Sequence, residues 1–168
     1  MSSANRHIPL GATGEDAMAF AAGLGAGARL IGIDAGEKTL GLALSDVTRT
    51  IASPLETIRR GKFKTDAARL LALAADHGVA GLVLGLPRNL DGAEGPRAQA
   101  TRALARNLNV LSALPILLWD ERLTTALAER MLIDADQSRK RRAEVIDKLA
   151  ATLILQSALD RINVSRGA

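Results

Sequence analysis

The chain has 168 residues, 48% of them apolar and only 2% aromatic, and its formal net charge is +4. This length suits one ordinary domain with an aliphatic core, and the scarcity of aromatic side chains argues against recognition by base stacking. Since there is no Cys and only two His, disulfides, thiolate metal sites and a Cys nucleophile are excluded, and a zinc site or a His-based triad is disfavoured. Any metal is therefore expected to have oxygen ligands, which favours Mg²⁺ or Mn²⁺.

Residues 1–28 differ from the rest of the chain. The segment 17–28 is rich in Ala and Gly, as the apolar part of a signal peptide can be, but Glu15 and Asp16 precede it and it is too short to cross a bilayer. We expect residues 1–28 to be a poorly ordered extension or a short helix, and the protein to be cytoplasmic, without membrane association.

From residue 29 onward, apolar runs bounded by Gly, Pro and polar residues indicate alternating strands and helices. Strands are predicted at about 29–35, 39–46, 50–58, 79–85 and 115–119, and helices at about 65–76, 94–109, 123–134 and 143–162. Three strands in a meander followed by alternating helices and strands predict one α/β domain over 29–162, with a mixed five-stranded sheet and helices on both faces. Residues 163–168 are then a C-terminal tail.

Acidic residues lie at the ends of two of the predicted strands. Asp34 comes directly after the apolar run 30–33, at the mouth of a hairpin where small residues leave room for a metal ion and a phosphate. Asp120 and Glu121 follow the strand at 115–119, and ligands of α/β sheets collect at the carboxyl ends of parallel strands. The alternatives are structural: Asp34 caps a turn, and the pair begins a helix.

A third acid, Asp147, lies on the last predicted helix. At helical spacing it shares a face with Ala151, Ile154 and Ala158, where a carboxylate is costly unless it is paired or bound to a metal. An ion pair with a distant Arg or Lys is the alternative.

Positive charge is concentrated at 59–64 and at 139–142. Clustered Arg and Lys suit a polyanion, because neutralising phosphates releases counterions, although either cluster alone is also typical of a solvated loop. The second cluster is predicted to be a loop that joins the last two helices, immediately ahead of Asp147.

Five motifs in order resemble the YqgF (RuvX) family over about 29–160. They are Asp34-x-Gly36-x-Lys38-x-x-Gly41, Gly85-Leu86-Pro87, Asp91-Gly92, Asp120-Glu121-Arg122-Leu123-Thr124-Thr125, and Asp147-Lys148-x-Ala150-Ala151-x-Leu153-Ile154-Leu155-Gln156. Members of this family are described as nucleases that process pre-16S rRNA, and they are distant relatives of RuvC-type Holliday junction resolvases with a ribonuclease H-like fold.

The resemblance implies a sheet whose first three strands are antiparallel and whose other two are parallel to the first. It also implies an acidic centre made of Asp34, Asp120, Glu121 and Asp147. Within that centre Asp34, Glu121 and Asp147 would hold two divalent ions, which activate a water and stabilise the leaving oxygen. Candidate phosphate contacts are Lys38, Arg88, Arg122, Arg139, Lys140, Arg141 and Arg142.

Two departures from the family pattern are visible. Ala143 and Glu144 stand where the family more often has Lys and Gly, and Gly85 ends the central strand where resolvase relatives carry an acid. The pair Asp120 and Glu121 would have to supply that ligand from the neighbouring strand.

The expected function is that of a metal-dependent endonuclease that processes the 5′ end of pre-16S rRNA in ribosome biogenesis, as a monomer or weak homodimer. Three alternatives stay open: a Holliday junction resolvase acting on branched DNA, a non-catalytic nucleic-acid-binding module, and an actin- or sugar-kinase-like phosphotransferase. The last is disfavoured because such enzymes enclose ATP between two domains.

Overall fold

The computed structural model describes residues 9, 11–124 and 139–166, with the side chains of all of these except 123, 139–148 and 165–166. Six strands form one sheet in the order β1-β6-β5-β2-β3-β4. The strands are β1 Thr13–Gly14, β2 Arg29–Ala35, β3 Thr39–Ser45, β4 Ala52–Arg59, β5 Val79–Leu86 and β6 Ile116–Asp120. The helices are α1 Ala17–Ala22, α2 Phe63–Asp76, α3 Pro96–Leu111 and α4 Arg139–Arg166, and a 3-10 turn covers Glu121–Leu123. Most of the predicted helix at 123–134 lies outside the described residues.

The predicted strand directions are confirmed. Strands β2, β3 and β4 are antiparallel neighbours, β5 is parallel to β2, and β6 is parallel to β5. The continuous apolar run of β5 is buried along nearly its whole length, as expected of a central strand covered on both faces.

Two details differ from the prediction. The sheet has six strands rather than five, because Thr13–Gly14 pairs in parallel with β6; two residues are too few to show an alternating pattern. The last helix includes 139–142, so Arg139, Lys140, Arg141 and Arg142 do not form a loop. Arg and Lys are good helix formers, and no Gly or Pro interrupts 139–148.

Helices cover both faces of the sheet. Buried side chains of α2 and α3 pack on one face, and those of α1 and α4 pack on the other. None of the helices in the described part of the chain is both long and apolar enough to span a membrane.

Helix α4 crosses β2 at Gly32. A Cβ on Gly32 would lie 2.6 Å from Leu155 Cβ and 2.9 Å from the Ala151 carbonyl oxygen, so only glycine allows this close contact. Further along the helix, the Gln156 side chain accepts from the Ala52 backbone N–H at 2.9 Å, beside the β3–β4 turn. The carboxyl half of α4 therefore lies over the end of the sheet where β2 begins, and its amino half extends towards the end where β2 finishes.

Candidate active site

Asp34 and Glu121 are brought together by two strands that flank β5. Asp34 is the penultimate residue of β2, and Glu121 opens the 3-10 turn that follows β6. Both residues are half-buried, and their side chains are hydrogen-bonded to each other. Two carboxyl groups can share such a bond only when one of them carries a proton. Below about pH 7 the pair therefore holds a proton in the absence of a cation.

The environment of Glu121 favours its protonated form. Burial raises the pKa of Glu121 to about 7, with further contributions from the charge and hydrogen bond of Asp34, while the positive charge of Arg97 acts in the opposite direction. Two carboxylates this close repel each other unless a proton or a cation lies between them. The site is thus suited to bind positive charge.

Gly85 provides the space that Glu121 occupies. A Cβ at position 85 would lie 2.5 Å from Glu121 Oε1 and 2.5 Å from Ile154 Cδ1. Any other residue at this position would displace the carboxylate or the α4 side chain packed beside it. This contact has no signal in the sequence, because the three residues come from three separate elements.

Asp120 has different partners from Glu121. Its carboxylate accepts from the Arg122 side chain, with Nη2 to Oδ2 at 2.6 Å, and from the Arg122 backbone N–H at 3.0 Å. The hydrogen bond from Arg122 holds the pKa of Asp120 below its usual value, and the charges of Arg122 and Arg88 add to this. Asp120 is thus an ionised partner of arginine, whereas Glu121 faces Asp34.

The candidate phosphate contacts fall into two groups. Arg88 forms ion pairs with Glu15, with Glu94 at 3.5 Å and with Asp120 at 3.7 Å, and Arg122 pairs with Asp120. Lys38 instead is exposed on the β2–β3 turn, and its ammonium group has no hydrogen bond or ion pair to another described residue. Phosphate contacts by all three residues stay predictions.

Asp147 is placed through its backbone alone, since its side chain lies outside the described residues. It precedes Ala151 by about one helical turn, and Ala151 contacts Gly32, which shares a face of β2 with Asp34. The helix therefore carries position 147 towards the end of the sheet where Asp34 lies. The same limit applies to the side chains of Arg139, Lys140, Arg141 and Arg142.

The donor atoms at this site fit a hard cation. Asp34 and Glu121 offer only carboxylate oxygens, the ligands that Mg²⁺ and Mn²⁺ prefer. Among the side chains that the structure describes, no group of three or more potential metal ligands occurs. A third ligand from Asp147 therefore stays a prediction.

Sequence reasoning missed one charged neighbour of the pair. Arg97 lies in the first turn of α3 and acts electrostatically on Glu121. Nothing in the sequence distinguishes it from other basic residues on an exposed helix face, because its proximity to Glu121 depends on how α3 packs on the sheet.

Fold and site together define an α/β protein with a ribonuclease H-like sheet and a carboxyl pair at the strand ends. The family model for RuvX, described as a Holliday junction resolvase, matches residues 28–161. The chain therefore belongs to the RuvX family.

Similar proteins agree with this assignment. A relative from Cereibacter sphaeroides, named "Putative pre-16S rRNA nuclease", is 62% identical over 86% of this chain and 90% of its own length. A relative of the same name from Roseobacter denitrificans is 58% identical over 90% of this chain and 94% of its own. RuvC from Thermus thermophilus, solved with a Holliday junction substrate, superposes with a TM-score of 0.52 at 15% identity, over 81% of this chain and 96% of that one. At this identity the structural likeness shows the fold alone.

Proposed function

We propose that this protein is a metal-dependent endonuclease with its nuclease domain at 29–162, and that it processes the 5′ end of pre-16S rRNA in the cytoplasm. The observation that carries the proposal is the hydrogen-bonded pair of Asp34 and Glu121 at the ends of the two strands that flank β5. The substrate is suggested by the relatives, 58–62% identical, whose name specifies a nuclease of pre-16S rRNA. We further propose that it acts as a monomer or weak homodimer.

The roles of the acids follow from their surroundings. Asp34 and Glu121, joined by Asp147 from α4, would hold Mg²⁺ or Mn²⁺, which supplies an activated water and charge stabilisation of the leaving oxygen. Glu121 must lose its proton for this, because carboxylate ligands bind cations in the ionised form. Asp120 would act differently, by fixing the guanidinium of Arg122 at the rim of the site.

The basic side chains of the protein would hold the nucleic acid. Lys38 is exposed on the turn after β2, four residues after Asp34, and is available to contact a backbone phosphate. Arg139, Lys140, Arg141 and Arg142 occupy the amino end of α4, ahead of Asp147, and would contact phosphates further along the strand.

A Holliday junction resolvase is the second candidate function. It is favoured by the family model that the chain matches, because that family is described as a Holliday junction resolvase. Both candidates use the same centre, because hydrolysis of a phosphodiester bond by carboxylate-held cations does not depend on the sugar. They differ in the shape of nucleic acid that is held against it.

The test is cleavage by the purified protein, with Mg²⁺ or Mn²⁺, of three labelled substrates: a pre-16S rRNA 5′ precursor, a four-way DNA junction and an unstructured single strand. We expect metal-dependent cleavage of the rRNA precursor. Asp34→Asn should abolish cleavage while leaving binding of the precursor largely intact, because it removes a ligand charge but little volume. Asp76→Asn, which changes an exposed carboxylate at the end of α2 by the same substitution, is the matched control and should cleave normally.

Each other outcome has a definite meaning. Cleavage of the junction in preference to the precursor would replace the first candidate with the second. Full activity of Asp34→Asn, or cleavage that persists in EDTA, would refute the proposed centre. Nucleic-acid binding without cleavage and without metal binding would identify a non-catalytic module.

A further inference from the structure

A small cleft lies beside the acidic pair, between the β2–β3 turn and α3. It begins at Ala35, the residue after Asp34, and has a volume of about 60 Å³. Its lining residues are Ala35, Gly36, Glu37, Arg60, Arg97, Ala100, Thr101 and Leu104. Since a single water needs about 10–15 Å³ of such space, the cleft has room for several waters or for one group of phosphate size.

Arg60 is fixed at one wall of this cleft. It follows β4 directly, its backbone N–H donates to the Lys38 carbonyl at 2.8 Å, and its Nη1 donates to the Gly36 carbonyl at 2.6 Å. A guanidinium carries five N–H donors, so these contacts orient the group and leave others available. The side chain is therefore held by the neutral carbonyl of Gly36, without loss of its charge.

Arg97 stands at the opposite wall. It is exposed in the first turn of α3, and its guanidinium makes no hydrogen bond or ion pair with any other described residue. Glu37 is the acid among the lining residues, so two positive charges face one negative charge. The cleft is therefore net positive, directly beside a pair of carboxyl groups.

The arginines elsewhere around the acidic pair contrast with these two. Arg88 and Arg102 are paired with Glu15 and Glu94, and Arg122 is paired with Asp120. Their charges are largely neutralised within the chain. The guanidinium of Arg97 has no such partner among the described residues, and that of Arg60 donates to a backbone carbonyl.

We propose that Arg60 and Arg97 bind the backbone phosphate next to the scissile one, and so position the substrate strand between the β2–β3 turn and α3. This inference rests on the proposed nuclease function. Binding is to phosphate, because two guanidinium groups line the cleft and none of its lining side chains is aromatic and able to stack on a base, and it is therefore independent of sequence. Arg60 and Arg97 are positioning residues and take no part in bond cleavage.

The test compares Arg97→Gln with Arg106→Gln. Arg106 is exposed on the same helix, nine residues further on, which places it about half a turn away on the opposite side. Both variants remove one positive charge, so a general loss of charge affects them equally. The assay is run with saturating Mg²⁺ and at a pH well above the pKa of Glu121, so that Glu121 is ionised with or without the charge of Arg97. We then expect Arg97→Gln to raise KM about fivefold at low salt with kcat unchanged, since an exposed ion contact is of that size, and Arg106→Gln to match the wild type.

A substrate change makes the assignment specific. Replacing the phosphate on either side of the scissile one, in turn, by a neutral methylphosphonate should weaken binding to the wild type at one of the two positions. When the methylphosphonate is at that position, Arg97→Gln should cause no further loss of affinity. Glu37→Gln should tighten binding of the fully charged strand. Arg60→Gln should behave like Arg97→Gln. Its melting temperature must also be measured, because the hydrogen bond from Arg60 to Gly36 stabilises the β2–β3 turn.

The outcomes separate this inference from the proposed function. If the wild type cleaves and Arg97→Gln is indistinguishable from Arg106→Gln, the inference is wrong and the nuclease function stands. If a methylphosphonate at either position weakens binding to Arg97→Gln as much as binding to the wild type, the cleft does not hold the neighbouring phosphate. If Arg97→Gln selectively weakens oligonucleotide binding but no substrate is cleaved, the cleft is a phosphate site and the proposed catalytic function fails.

Discussion

Replacing Glu121 by Gln should remove a pH-dependent instability from the protein in the absence of metal. The pKa of Glu121 is raised from 4.5 to about 7 in the folded state, chiefly by burial and then by Asp34. Between these two pH values the folded protein keeps a proton that the unfolded chain has released. Stability therefore falls as pH rises from about 4.5 to about 7 and is level above that range, because the unfolded state binds fewer protons.

The size of the effect follows from the shift. Since one pKa unit corresponds to about 1.4 kcal/mol, the pair destabilises the metal-free protein at pH 8 by at most about 3 kcal/mol relative to pH 4.5. For a chain of this length that is a change in melting temperature of roughly 5–10 °C. Gln is isosteric and neutral, so Glu121→Gln should lack this component.

Melting curves in EDTA, at half-unit steps from pH 4.5 to pH 8, measure the difference between wild type and Glu121→Gln. Subtracting the melting temperatures of the two proteins at each pH removes the contributions of all other titrating groups. Glu37→Gln serves as the control for loss of a carboxylate beside the site. Addition of Mg²⁺ at pH 8 should raise the melting temperature of the wild type more than that of Glu121→Gln, because a bound cation replaces the missing proton. Parallel curves for wild type and Glu121→Gln in EDTA would refute the carboxyl pair.

Two further predictions concern the surroundings of the pair. Gly85→Ala should cost about 1–3 kcal/mol and most of the cleavage activity, because its Cβ would meet Glu121 Oε1 at 2.5 Å, whereas Gly61→Ala, with open space around it, should be close to neutral in both assays. Replacing all four basic residues at 139–142 by Gln should weaken nucleic-acid binding sharply at moderate salt. The slope of log affinity against log salt concentration should fall by about one unit for each phosphate that is no longer neutralised. Cleavage at saturating substrate should survive better than affinity, and an unchanged salt slope would show that these residues do not contact the substrate.

Most of the fold was predictable because its elements have strong local patterns. The apolar runs of β2, β5 and β6 and the Gly78 that ends α2, at φ 65°, are features of single short segments. Strand β1 was not predictable, because two residues that pair with a strand about 100 positions away show no pattern of their own. The basic segment 139–142 was misassigned because clustered charge is common to loops and to exposed helix ends.

The site was predictable only as a set of candidates. Four acids were identified from motifs and positions at strand ends, but the different partners of Asp120 and Glu121 depend on tertiary contacts. Asp120 turns towards Arg122 two residues away, while Glu121 turns towards Asp34 across β5. The role of Asp147 stays a prediction.

The end of the central strand shows why an acid from the neighbouring strand can supply a ligand here. Position 85 lies in β5 opposite Trp119 in β6, so the residue two positions after Trp119 can lean back over β5 if nothing projects from it. Gly85 leaves that space open, and Glu121 Oε1 lies 2.5 Å from where a Cβ would stand. Glu has the longer of the two acidic side chains, which lets its carboxyl reach across β5 to Asp34. The position of the Glu121 carboxyl therefore depends both on the absence of a side chain at Gly85 and on the length of the Glu121 side chain. Substitution of either residue alone should disrupt the pair with Asp34.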